Sequence, residues 1–186
     1  CHSHDSWHCK LGDTMSTLKV DNILNTAGAD NRGKILQVQT TMVSTPSSQS
    51  VAANTLTEVT GVSVNITPSS TSSKILLFGS WNGEMGTSGN EYNHIFSFKR
   101  DSTYLGSPVA GNRTVGIGVA GITLSGNVSS TVESSPALQY LDTPATTSQI
   151  TYKLSFEGVA AATLYNNRTV ADTNSAGYER GMSMIT

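Results

Sequence analysis

The sequence predicts an all-β protein: an antiparallel β-sandwich, jelly-roll-like. Three observations lead there. Ser and Thr make up roughly a quarter of the 186 residues, while Glu, Lys and Leu are thin, so strand and turn formers outnumber helix formers. Short segments alternate apolar and polar side chains with a period of two. Turns rich in Ser, Thr, Asn, Gly and Pro separate them, and no segment carries a convincing helical period.

The strands follow in order. In KILQVQTTMV, Leu36, Val38, Thr40 and Met42 share one face. Val62, Val64 and Ile66 alternate with Ser63, Asn65 and Thr67, the mark of a half-buried strand. Pro68 stops that strand, because it has no N–H for the ladder, and Ser69 to Ser73 form the turn. Lys74 to Trp81 is apolar on both faces, with Ile75, Leu77 and Trp81 against Leu76 and Phe78, and reads as central. His94, Phe96 and Phe98 alternate with Ile95, Ser97 and Lys99, and Arg100 to Tyr104 makes a hairpin turn. Val115, Ile117 and Val119 alternate with Gly116, Gly118 and Ala120. That small face implies close approach by another sheet or subunit. Leu138 and Tyr140 mark a short strand. Ile150, Tyr152, Leu154 and Phe156 point inward, with Thr151, Lys153, Ser155 and Glu157 outward. Ala162 to Tyr165 and Met182 to Ile185 complete about nine strands, the spacing of a sandwich or jelly roll.

Residues 34–186 form the expected β-sandwich domain, preceded by a connector over 15–33 and an atypical tail over 1–14. The tail, CHSHDSWHCKLGDT, holds both cysteines and three of the four histidines. Met15 opens a stretch that reads as a translation start, so the tail is expected to be a leader, an added remnant or a piece of a longer chain. The final strand breaks off at Thr186, and the natural chain is expected to continue.

Charged residues are only 13% of the chain and the formal net charge is −2, with Lys and Arg scattered. That argues against electrostatic nucleic-acid binding, which wants a clustered basic face, and no nucleic-acid partner is expected. No stretch approaches the ~20 apolar residues of a membrane helix, and no apolar leader is visible.

Few chemical motifs emerge. His2, His4 and His8, with Cys1, Cys9 and Asp5, are metal-capable, but their spacing matches no usual zinc pattern, and an adventitious tail is the expected reading. Sequons at Asn65, Asn112, Asn127 and Asn167 are weak signals in so Asn- and Ser/Thr-rich a chain. His94 is the only histidine of the sandwich domain, and its place beside Phe96 and Phe98 makes it a core residue rather than a base. No GxSxG, HExxH or P-loop occurs, so neither an enzyme nor a cofactor is expected.

The strongest binding signal is the segment Trp81 to Tyr92. Its glycines free the backbone, and Asn82, Glu84 and Asn90 offer amide and carboxylate groups between two aromatics, Trp81 and Tyr92. Tyr165, Asn166 and Arg168 form a second candidate and Tyr178 to Arg180 a third. An aromatic platform beside hydrogen-bonding groups suits a saccharide, although aromatics at strand ends more often cap a core.

Five blocks carry a resemblance: MSTLKVDNILNTAG (15–28), GKILQVQ (33–39), VSVNITPSSTSSKILL (62–77), YLDTPATTSQITYKL (140–154) and GMSMIT (181–186). With these the chain resembles the C-terminal domains of tail-fibre or receptor-binding proteins of tailed bacteriophages, especially aquatic ones. TPSSTSSKIL and LDTPATTSQITYKL are the more specific blocks. The resemblance implies a β-rich homotrimer on the virion, in contact with other virion proteins, that recognises a saccharide or protein on the host surface. It transfers no individual site residue. Two other readings share the fold: a structural virion protein such as a capsid decoration or assembly connector, and a C1q- or TNF-like trimeric module.

Overall fold

Alternating apolar side chains need a layer on each side of one core, and the chain builds two. In the computed structural model the described residues are 35–86, 93–106, 111–119, 131–135 and 137–186. The chain divides into two units, Cys1–Gln37 and Val38–Thr186. The second contains β1 (Thr41–Val43), β2 (Ser47–Val51), β3 (Thr57–Ile66), β4 (Ile75–Ser80), β5 (Asn82–Gly86), β6 (His94–Arg100), β7 (Thr103–Leu105), β8 (Gly118–Val119), β9 (Glu133–Ser134), β10 (Leu138–Asp142), β11 (Ile150–Gly158), β12 (Ala162–Asn166) and β13 (Ser183–Ile185). All pairings are antiparallel.

Three hydrogen-bonded groups result: β1-β13-β4-β10, β2-β12-β5-β9, and β3-β11-β6-β7 with β8 also on β6. The first two are halves of one layer of four rows. β4 passes into β5 with only Trp81 between them, and β9 and β10 pair with β5 and β4 in the same sense. Thr41 pairs with Ile185 at one end of this layer, and Val51 with Ala162 at the other. The third group is the opposing layer; the chain crosses between the two at every row except from β6 to β7 and β8, which stay in the third group.

The two inner faces share one core. Val51, Leu77, Trp81, Met85, Leu138, Leu164 and Ile185 meet Val59, Val62, Val64, Phe96, Phe98, Leu105, Ile150, Tyr152, Leu154 and Phe156. Trp81 lies 5.4 Å from Phe96, and Phe96 meets Phe156 edge-on at 5.4 Å. Gly79 lets Phe98 come so close that a Cβ there would stand 2.7 Å from its ring. Each large side chain buried in this way stabilises the fold by about 1.5–3 kcal/mol.

β3 is bulged. Lys153 faces Ser63 but Ser155 faces Glu58, so extra residues on β3 are taken up around Thr60 and Gly61. Gly61 has φ +80, a left-handed conformation that favours glycine. The bulge lets both Val59 and Val62 face the core.

Two polar clusters tie the strands. On the outside of the second layer, the Glu58 carboxylate takes Lys99 and Lys153, each at 2.7 Å. Lys153 first, then Lys99, holds that carboxyl below its usual range. Between the layers, Arg100 Nη1 donates to both oxygens of Asp142 at 2.9 and 2.8 Å, and the Tyr152 hydroxyl donates to Asp142 at 2.6 Å.

Most expected strands form, and three details differ. Residues 35–40 are not strand, and Met42 points outward. β4 is central in its sheet, but only Ile75, Leu77 and Gly79 face the core; Leu76 is 52% and Phe78 40% exposed, because no described element covers that side. The small face at Gly116 meets β6 of its own chain, where a Cβ would stand 2.8 Å from the Phe96 carbonyl and from Ser97 Oγ. Ala120 lies outside the described residues. The hydroxyl run is the expected turn: Ser73 N–H bonds the Ser70 carbonyl, and Ser70 Oγ receives the Ser72 N–H.

Candidate functional site

The segment expected as a binding loop begins as strand. β5 continues β4 through Trp81, and its glycines serve packing rather than freedom. Gly83 lies under the Trp81 indole and beside the Tyr165 carbonyl, with room for no side chain. Gly86 lies against the Tyr165 ring.

Trp81 is therefore a core residue, 1% exposed, not a surface platform. Its Nε1–H donates to Asn166 Oδ1 at 2.9 Å. The Asn166 amide nitrogen in turn donates to Ser47 Oγ and Gln49 Oε1 at 3.2 and 3.1 Å. Gln49 reaches β3 by donating to the Glu58 carbonyl and accepting from the Thr60 N–H, both at 2.8 Å. This satisfied buried network joins three rows of the first layer to β3. Asn166 thus has its polar atoms spent inside the fold, and no ligand reaches them.

The outer face of β5 and β12 carries the remaining candidates. Glu84 pairs with Tyr165 across the two strands. Over them lies an excursion, residues 168–182, that leaves the sheet after Asn167 and returns at Ser183. Asn167 turns the chain out with φ +60, a conformation that Asn tolerates better than most residues. Glu84 is buried beneath the excursion and accepts the Val170 N–H. The Arg168 guanidinium sits 5.1 Å over the Tyr165 ring and donates to the carbonyls of Thr169 and Val170 at 3.0 and 2.9 Å.

Further along, Arg180 makes a two-pronged pair with Asp172, both contacts 2.9 Å, and Arg168 approaches the same carboxylate at 3.7 Å. Arg180 chiefly holds the Asp172 carboxyl below its usual range, and Asp172 raises the guanidinium in return. Glu179 accepts the Val132 N–H at 3.1 Å, and the Asn82 amide donates to the Met182 carbonyl at 2.6 Å. The second and third sequence candidates thus come together, with Arg168, Tyr178 and Arg180 on one excursion beside Tyr165. Trp81 and Asn166 lie behind them in the core, while Asn82 and Glu84 anchor the excursion from below.

Asn90 and Tyr92 lie outside the described residues, as do His2, His4 and His8. Asp172 and Ser183 were not anticipated, and Asn167, noted in the sequence as a sequon, acts instead as the turn residue. Asp172 sits in the sequence with no sign that two arginines converge on it. Among the described residues no three His, Cys, Asp or Glu side chains come together as a metal centre would require.

No protein-family model matches the chain, and no curated protein matches it.

Proposed function

We propose that the second unit is a non-enzymatic receptor-binding domain of a virion fibre, with a jelly-roll fold and a homotrimeric assembly, that contacts a saccharide on the host surface. The jelly-roll reading is supported by strand order. Rows β1/β2, β13/β12, β4/β5 and β10/β9 face β3, β11, β6 and β7, and the chain crosses between layers at each step except the β6–β7 hairpin. A C1q- or TNF-like module would share that order.

One observation carries the binding reading: a polar excursion is pinned at several points to the outer face of a closed sandwich. Held donors and acceptors beside tyrosine rings suit sugar hydroxyls, because little ordering entropy remains to be lost on binding. Tyr178 and Arg180 lie on its accessible side, Arg180 being 58% exposed at its side chain. The double variant Tyr178→Ala/Arg180→Ala is expected to weaken binding on an array of host-envelope oligosaccharides by at least about tenfold while leaving the melting temperature nearly unchanged. An array on which the intact protein binds nothing refutes the saccharide reading, and binding to a purified host protein instead assigns a protein receptor.

Assembly is supported by the other half of the same layer. There Met42, Leu76, Phe78 and Leu141 are exposed, and the remaining outward positions of β4 and β10, Ser80 and Gln139, are uncharged. An apolar, uncharged face of this kind is what an interface core looks like. Light scattering should give a trimer for the intact domain, and Leu76→Glu/Phe78→Glu should weaken assembly by on the order of a hundredfold, since the buried apolar area is lost and charge is introduced. A monomeric intact domain removes the trimer. This face also favours the structural virion reading, in which it seats a neighbouring capsid or connector subunit; a capsid-shell position in an imaged virion would select that reading.

A further inference from the structure

β12 and β13 occupy a single row although residues 168–182 separate them. Asn166 stands opposite Gly83, and Met184 stands opposite Ser80. Only Trp81 and Asn82 lie between those two partners. Asn167 and Ser183 fill the places across from them: the Asn167 N–H donates to the Asn82 carbonyl at 2.8 Å, and the Asn82 N–H donates to Ser183 Oγ at 3.0 Å. Ser183 Oγ also donates to Asn167 Oδ1 at 2.7 Å. Ser183 therefore takes the register position next to Asn167 along the row. The register against β4 and β5 thus counts through without a gap, although at Asn82 the N–H bonds the Ser183 hydroxyl in place of a backbone carbonyl.

The excursion is also closed in charge. Its two arginines and two carboxylates balance. Arg168 and Arg180 are drawn onto Asp172, and Glu179 is taken by the Val132 N–H. An approaching molecule meets fixed donors and acceptors but no uncompensated cation. Phosphates and polyanions are drawn by clustered, unpaired positive charge. A neutral molecule rich in hydroxyls needs only the donors and acceptors.

We propose that residues 168–182 are a separable recognition loop for neutral, hydroxyl-rich saccharides, set into a strand whose register closes without them. The ligand half of this inference rests on the receptor-binding reading above; the separable half does not. Removing the loop leaves Glu84 and Tyr165 on the outer face of the sheet, so both pass into water rather than into a void. Asn167, freed from turning the chain outward, can return to the extended conformation of its neighbours.

Two variants test this. One joins Asn167 directly to Ser183, and the other replaces 168–182 with Gly and Ser at equal length. Each is compared with the intact chain by thermal unfolding and on an array of neutral and carboxylate-bearing oligosaccharides at ~0.1 and ~0.5 M salt. Both variants should unfold cooperatively, within about 5 °C of the intact chain, and bind no oligosaccharide. The intact chain should bind neutral oligosaccharides with less than about a twofold change between the two salt concentrations. If neither variant folds, the loop is not separable. A folded variant that still binds overturns the recognition role. Selective binding of carboxylate-bearing sugars that weakens tenfold with salt overturns the neutral ligand. An intact chain that binds no oligosaccharide overturns the ligand half together with the receptor-binding reading, while the melts still decide separability.

Discussion

Trp81→Ala is expected to destabilise the domain by about 3–5 kcal/mol, among the largest losses a single truncation can produce. The indole fills the inner face where β4 passes into β5, packs on Phe96 and covers Gly83. Its removal opens a cavity that Gly83, lacking a side chain, cannot fill. It also leaves Asn166 Oδ1 without its buried donor, which adds part of the ~1–3 kcal/mol cost of an unsatisfied buried group. Trp81→Phe separates the two terms, since the ring volume is largely kept while the N–H is lost; it should cost about 1–3 kcal/mol. Urea unfolding at neutral pH measures both. A surface platform would behave oppositely, losing ligand at unchanged stability. A Trp81→Ala protein as stable as its parent would remove the indole from the core.

Asp142→Ala should follow closely. Asp142 accepts from Arg100 and from the Tyr152 hydroxyl, so its truncation strands a guanidinium and a phenol between the layers. Breaking a buried pair costs about 3–5 kcal/mol, and because the Arg100 side chain keeps 26% of its exposure the low end, about 3 kcal/mol, applies. Tyr152→Phe removes one hydrogen bond to a charged group and should cost about 1.5–3 kcal/mol.

The same cluster sets an alkaline limit. Burial first, and then the Asp142 carboxylate, push the Tyr152 phenol above its ordinary value of 10.0. The fold thus favours the neutral phenol. That contribution is complete below the unfolded value and is lost as pH rises past it. The urea midpoint of the parent should therefore fall above about pH 10 more steeply than that of Tyr152→Phe. Equal alkaline slopes would show that Tyr152 ionises as freely in the fold as outside it.

How much of this was legible in the sequence depends on the range of the interaction. β11 could be read because Ile150, Tyr152, Leu154 and Phe156 alternate without interruption, and a two-residue period needs no partner to be visible. Val62, Val64, Phe96 and Phe98 were legible for the same reason. β5 was not, since Asn82, Gly83 and Gly86 read as loop chemistry when their glycines are there to admit an indole and a tyrosine ring. Trp81 stayed open between a core cap and a ligand platform: an aromatic at a strand end looks alike whether it points in or out. What placed it inside is Asn166, far along the chain and adjacent only after folding. Leu76 and Phe78 show the converse error. A strand apolar on both sides reads as doubly buried, yet the outer cover has to come from somewhere else. Residues 168–182 offered one tyrosine and two arginines but not their arrangement, because nothing local announces that Asn167 and Ser183 will be neighbours.

The pairing of Thr41 with Ile185 has a mechanical consequence. The first and last strands of the unit run side by side in opposite directions, so both of its ends emerge at the same edge. Tension applied between those ends would peel β1 from β13 pair by pair, the geometry of a zipper opened from its slider. Tension carried through one end alone bypasses that line and loads the sandwich as a body, with the pairing of Val51 and Ala162 at the far tip.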